Sequence, residues 1–100
     1  MNIEEIKHKT KLGLYEISFH AEKERYAEDI SLNDIESAIS NSRILEDYPN
    51  DPRGQSCLLL GSSDEKPIHI VCGFTPLRCV RIITVYLPKP PKWINEQTRA

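Results

Sequence analysis

The sequence predicts an α+β fold, with helices packed on one face of a mostly antiparallel sheet. Two observations carry this. Up to Ser40 the apolar residues recur at helical spacing behind clear start signals. From Arg43 onward, β-branched residues run in short segments divided by Pro and Gly clusters. The resulting order is helix, strand, helix, helix, then four strands. It gathers the helices on one side of the sheet and leaves the opposite face free for a ligand or partner.

Asn2 to Lys11 reads as a short, weakly amphipathic helix with Ile3 and Ile6 inward. Glu16-Ile17-Ser18-Phe19 alternates as a strand does and ends at His20, and His20 to Asp29 is charged and helix-prone. The next helix has the clearest start. Ser31 is its N-cap, Asp34 sits at the third helical position, and Ile30 and Ile35 form a hydrophobic staple. Leu32, Ile35, Ala38 and Ile39 then give it one apolar face.

Arg43 to Tyr48 alternates and stops at the breaker cluster Pro49-Asn50-Asp51-Pro52. Cys57 to Leu60 is a short apolar run closed by Gly61. Ile68 to Phe74 and Val80 to Leu87 read as strands, with Thr75-Pro76 opening the turn between them. Pro88, Pro90 and Pro91 end the last strand and leave Trp93 in a C-terminal segment that folds back. One domain is expected over residues 1–100, with its core in residues 16–88 and a C-terminal segment at 89–100.

Composition narrows the function. With 39% hydrophobic and 28% charged residues the chain has the make-up of a soluble globular domain. It has no apolar stretch near the roughly 20 residues that span a bilayer. The acidic start Met1-Asn2-Ile3-Glu4-Glu5 has no signal-peptide core, so a cytoplasmic protein with no membrane partner is expected. Cys57, Cys72 and Cys79 are odd in number and form no C-x-x-C pair, which fits reduced thiols. Cys57, Cys72 and His69 match no zinc spacing, and no Walker loop, dinucleotide fingerprint or G-x-S-x-G elbow is present. No cofactor or metal is expected.

Charge is unevenly spread. Met1 to Asp51 holds 6 Lys/Arg against 12 Asp/Glu, whereas Pro52 to Ala100 holds 7 against 3, so the halves carry −6 and +4. Such asymmetry fits a basic working surface in the second half, or simply Glu-rich helices beside Glu-poor strands. That half contains the phrases Asp51-Pro52-Arg53-Gly54-Gln55-Ser56-Cys57, Pro67-Ile68-His69-Ile70-Val71-Cys72-Gly73 and Arg81-Ile82-Ile83-Thr84-Val85-Tyr86-Leu87-Pro88. Each sets a polar side chain into an apolar ladder.

These phrases, followed by Trp93, resemble a bacterial family of small domains of unknown function grouped with the RelE/ParE-like and BrnT-like toxins. His20, Ile30-Ser31, Asp34-Ile35 and Ile44 through Pro49 share in the resemblance, which spans roughly Phe19 to Trp93. It implies a RelE/BrnT-like fold. It also implies the toxin component of a type II toxin–antitoxin pair, a metal-independent endoribonuclease acting on mRNA, with an antitoxin partner of the zinc-finger type. A non-catalytic protein-interaction module and a simple nucleic-acid-binding domain are the other readings. An uncovered strand edge would allow a homodimer.

Metal-independent RNA cleavage needs a base for the 2′-hydroxyl, cations for the phosphate and an acid for the leaving oxygen. Imidazole suits proton transfer near neutrality and guanidinium suits a bidentate phosphate clamp. His69 and His20 are the acid–base candidates, Arg53 and Arg81 the phosphate clamps, and Tyr86 a stacking platform or hydroxyl donor. Plainer roles exist for each. His69, pointing away from Ile68 and Ile70, fits a histidine bonded to a neighbouring strand, and Arg81 fits a sheet-edge salt bridge. Arg81 falls on the parity opposite to Ile82, Thr84 and Tyr86, and reaches His69's face only if the last two strands pair as a hairpin.

Overall fold

Three polar side chains start the three helices by one device. Asn2 Oδ1 accepts the Glu4 and Glu5 N–H groups at 2.9 and 3.2 Å, and Ser18 Oγ accepts that of Ala21 at 3.0 Å. Ser31 Oγ accepts the Asp34 N–H at 2.9 Å while the Asp34 carboxylate accepts the Ser31 N–H at 2.9 Å, completing the expected capping box. In the computed structural model, which describes residues 1–100, these caps open α1 (Ile3–Lys11), α2 (Phe19–Ala27) and α3 (Leu32–Ser40). Strand β1 (Tyr15–Ile17) lies between α1 and α2; β2 (Arg43–Tyr48), β3 (Ser56–Ser63), β4 (Lys66–Phe74) and β5 (Val80–Tyr86) follow α3.

The element order is the one expected, and the fold is α+β. The five strands form one sheet in the order β1-β5-β4-β3-β2, antiparallel except for the parallel β1–β5 pair. Phe19 is the exception at element level. It was expected inside the first strand, but Ser18 caps there and Phe19 becomes the first residue of α2, 77% exposed.

The helices cover one face. Ile6, Ile35, Ala38 and Ile39 meet Cys57, Leu59, Ile68, Ile70, Cys72, Val80, Ile82 and Val85 in one buried cluster. Gly61 does not close β3, which runs on to Ser63. Its missing side chain lets α3 lie against the sheet, because a Cβ there would sit 2.0 Å from the Ala38 carbonyl oxygen. Asp64 and Glu65, both at positive φ (49° and 66°), make the tight turn into β4.

A register shift between Val71 and Cys72 sets the other face. On one side of it Arg81 pairs with Gly73, and on the other Thr84 pairs with Val71 and Tyr86 with His69. The extra residue in β5 resets its alternation, so Arg81 shares a face with Thr84 and Tyr86 instead of opposing them. The expectation of an open face holds only in part. Residues 88–100 cross the His69–Tyr86 end as an irregular strap, joined by a Trp93–Arg99 bridge and a Trp93 that is 1% exposed.

Candidate functional site

The uncovered end of that face is a groove of about 680 Å³ between the N-terminus of α2, the 51–55 loop and the β4–β5 ladder. Three expected site residues meet there: His20 from α2, Arg53 from the loop and Arg81 from β5, with Thr84 beside them. Each is placed by a local interaction. Ser18 donates its N–H to the Ile82 carbonyl and its hydroxyl to the Ile83 carbonyl, both at 2.9 Å, which pins the start of α2 onto β5. The N–H groups of Phe19 and His20 precede the first intrahelical bond and carry the partial positive charge of a helix start. His20 Nε2 lies 3.3 Å from Glu24, whose carboxylate also accepts the Val85 N–H at 3.0 Å.

The loop is pinned by Asp51. Its carboxylate accepts the Arg53 N–H at 3.0 Å, the Arg53 guanidinium at 3.3 Å and the Ser56 hydroxyl at 2.9 Å. The Arg53 backbone N–H above all, then its side chain, holds the Asp51 carboxyl down to about 2. Arg81 donates to Glu16 at 2.6 Å from the neighbouring β1. Each guanidinium thus meets one carboxylate and keeps further donors free. The Arg81–Glu16 pair is open to solvent on both sides, and a pair of that kind contributes only about 0–1 kcal/mol, while Arg53 is exposed above a largely covered Asp51.

His69 and Tyr86 are elsewhere. They face each other under the strap, and His69 is 0% exposed. Trp93 Nε1–H donates to Tyr86 Oη at 3.2 Å, Tyr86 Oη lies 3.1 Å from His69 Nδ1, and His69 Nε2 lies 2.6 Å from the Glu96 carbonyl oxygen. A carbonyl oxygen only accepts, so His69 donates from Nε2, and in the neutral ring Nδ1 then accepts the Tyr86 hydroxyl proton. Burial chiefly pushes its pKa down from 6.5, with Arg99 adding to the effect. The expectation that His69 acts with Arg81 and Arg53 at one exposed site is therefore corrected. With both ring nitrogens engaged and no solvent contact, His69 takes no proton from a ligand in this conformation.

The strap is latched by Arg99, which donates to Glu46 on β2 at 2.8 and 2.9 Å. That pair, more than the Tyr48 hydroxyl beside it, holds the Glu46 carboxyl down to about 2. Burial and the same carboxylate push Tyr48 up to about 12. No three His, Cys, Asp or Glu side chains gather into a metal-binding group. Cys57 and Cys72 lie opposite each other among the helix-side residues, while His69 points to the other face. The hydrogen bond with Cys57, and then burial, push the Cys72 thiol up, against a nucleophilic role.

Residues 17–87 match the family described as Domain of unknown function (DUF4258). The chain belongs to the DUF4258 family. No curated protein and no solved structure matches it. The DUF4258 match begins at β1 and ends at Leu87, so it takes in the whole groove and stops where the strap begins. No helix of this DUF4258 protein is long and apolar enough to cross a membrane.

Sequence reasoning missed three contributors. Phe19 lines the groove as an exposed ring, and the Ser18 cap signal three residues before Ala21 was the clue to it. Asp51 anchors Arg53, which an Asp two residues before a loop Arg would have suggested. The Glu46–Arg99 latch joins residues 53 apart and left no local signal.

Proposed function

We infer that this chain is the toxin component of a type II toxin–antitoxin pair of the RelE/BrnT-like kind, a metal-independent endoribonuclease acting on mRNA. One observation carries the reading: the groove joins two guanidinium groups, an imidazole, a hydroxyl and a helix N-terminus on one open surface, with an aromatic ring at its rim. That set suits a single-stranded RNA, whose phosphates take the cations and whose bases stack on exposed aromatics. His20, held by Glu24, is the base for the 2′-hydroxyl in place of His69. The 2′-oxygen then bonds to phosphorus while Arg81 and Arg53 meet the growing charge. The bond to the 5′-oxygen breaks, that oxygen takes a proton from water or from His20, and a 2′,3′-cyclic phosphate remains.

The antitoxin in this reading has an apolar landing site. Leu12 and Leu14 precede the free edge of β1, and Leu77 projects from the adjoining β4–β5 turn, all three exposed. The same patch favours the second reading, a non-catalytic interaction module. Induced expression in a bacterial host separates the two, with growth and bulk mRNA integrity compared for wild type, His20→Ala and Arg81→Ala. Arrest with mRNA loss, relieved by either substitution in a folded variant, supports the ribonuclease. Normal growth with intact mRNA at high soluble expression of wild type supports the interaction module.

A further inference from the structure

Trp93 fills a socket on the sheet face that continues the groove. Its ring meets His69 edge-on, with centroids 4.4 Å apart and planes at 89°, while Nε1–H donates to Tyr86 Oη at 3.2 Å. His69 and Tyr86 are themselves 5.2 Å apart at 65°, and Leu58 is fully buried on the same face. The socket thus takes one flat ring with an edge N–H aimed at Tyr86 Oη. The residue filling it lies outside the family match, which ends at Leu87. The strap is held at its margins, by Arg99 on Glu46, Lys89 on Glu28 at 3.4 Å and Arg43 on Gln97, all pairs at least partly open to solvent.

Groove and socket form one track. Gly73, Val71 and His69 alternate along β4 opposite Arg81, Thr84 and Tyr86. The four steps along β4 from Gly73 to His69 cover about 13 Å. A ligand spanning both ends must offer an anion at one and a heteroaromatic ring at the other.

We propose that the His69–Tyr86 socket is a nucleobase site, occupied by Trp93 in the resting chain, and that a base of the RNA strand held in the groove displaces it. The choice of RNA rests on the ribonuclease reading above. A nucleobase matches what Trp93 supplies, a flat ring for the His69 edge and an N–H for Tyr86 Oη. Once the Glu96 carbonyl withdraws with the strap, His69 Nε2–H is free to bond a base edge, as single-stranded RNA recognition uses such groups.

Trp93 is the sole tryptophan, so its emission reports the socket in the intact chain. Oligoadenylate titrated into wild type is expected to shift the emission to the red and raise acrylamide quenching. An abasic oligomer with as many phosphates binds without either change. Oligoadenylate that binds by anisotropy while Trp93 stays buried overturns the proposal. Independently, folded Trp93→Ala is expected to bind adenosine at least about tenfold more tightly than wild type, because the competing ring is gone. Binding of indole without adenosine overturns the nucleobase assignment, and binding of neither overturns the site. Should Trp93→Ala fail to fold, Arg99→Gln loosens the strap with the ring retained. Tighter adenosine binding with red-shifted emission is then expected, and unchanged affinity overturns the proposal. If wild type binds no RNA at all, the ribonuclease reading fails while the adenosine measurement still decides the socket.

Discussion

Gly73 stands directly opposite Arg81 in the β4–β5 ladder, and a Cβ at Gly73 would lie 2.9 Å from the Gln55 carbonyl oxygen. The bare backbone there is what lets the 51–55 loop lean over the sheet and bring Arg53 to the same groove as Arg81. Gly73→Ala is expected to push the loop outward. We expect a stability loss of about 1–3 kcal/mol by urea denaturation, together with weaker RNA binding if the groove acts as proposed above. Binding at wild-type strength would mean that Arg53 is not held by this contact.

Gly61→Ala is the harsher substitution. The added methyl meets the Ala38 backbone at 2.0 Å, not a side chain that can swing away, so α3 must lift from the sheet. A loss of about 3 kcal/mol or more in denaturant unfolding is expected. Gly54, with nothing within 4 Å of its Cβ position, provides the contrast. Any cost of Gly54→Ala comes from its φ of 115° and falls nearer 1 kcal/mol, by order of magnitude.

Asp34 ties α3 at two points, through the Ser31 N–H at 2.9 Å and the Ser63 hydroxyl at 2.8 Å. The Ser31 backbone N–H, then the Ser63 hydroxyl, hold its carboxyl below the usual range. Asp34→Ala is expected to cost about 1–2 kcal/mol, and Ser31→Ala about 1 kcal/mol. Because both remove parts of one capping box, the double variant should cost less than the sum, as a double-mutant cycle would read out.

His69 sets a pH dependence. The groups facing it are Tyr86 on β5, Glu46 on β2, and Trp93, Glu96 and Arg99 on the strap. Burial pushes its pKa below 6.5, so above that pH folded and unfolded chains are both neutral there and the stabilisation is complete. As pH falls through 6.5 toward the lowered folded value, the unfolded chain takes up the proton first and stability declines. The slope for one proton cannot exceed about 1.4 kcal/mol per pH unit. The urea midpoint should therefore drop between pH 7.5 and 5.5 and flatten in His69→Gln. Glu46 adds nothing in that window, since its carboxyl is held down to about 2 and its contribution is lost only in stronger acid.

The start of α3 was legible because its capping box, Ser31 and Asp34, lies within three positions, whereas the Ser18 cap sits in a stretch that alternates as a strand does. The succession of strands along the chain was legible too, since breakers such as Pro49 to Pro52 divide it locally. What escaped was set by distant pairing. The register shift opposite Val71 turns Arg81 to the face of Tyr86, and no feature of Arg81 to Tyr86 alone announces it. Likewise His69 reads identically in sequence whether solvent or Trp93 covers it. Only the strap's return, fixed by Arg99 on Glu46, decides that His20 and not His69 faces the open groove.

The groove joins the two ends of the chain in time as well as in space. Ser18 bonds the Ile82 and Ile83 carbonyls, and β1 pairs with β5 across 65 positions. During synthesis, at about 5–20 residues per second, His20 emerges seconds before any wall exists to set it against. The assembled groove is thus absent for most of each round of translation, and a message cut short of Val80 encodes a chain with no groove.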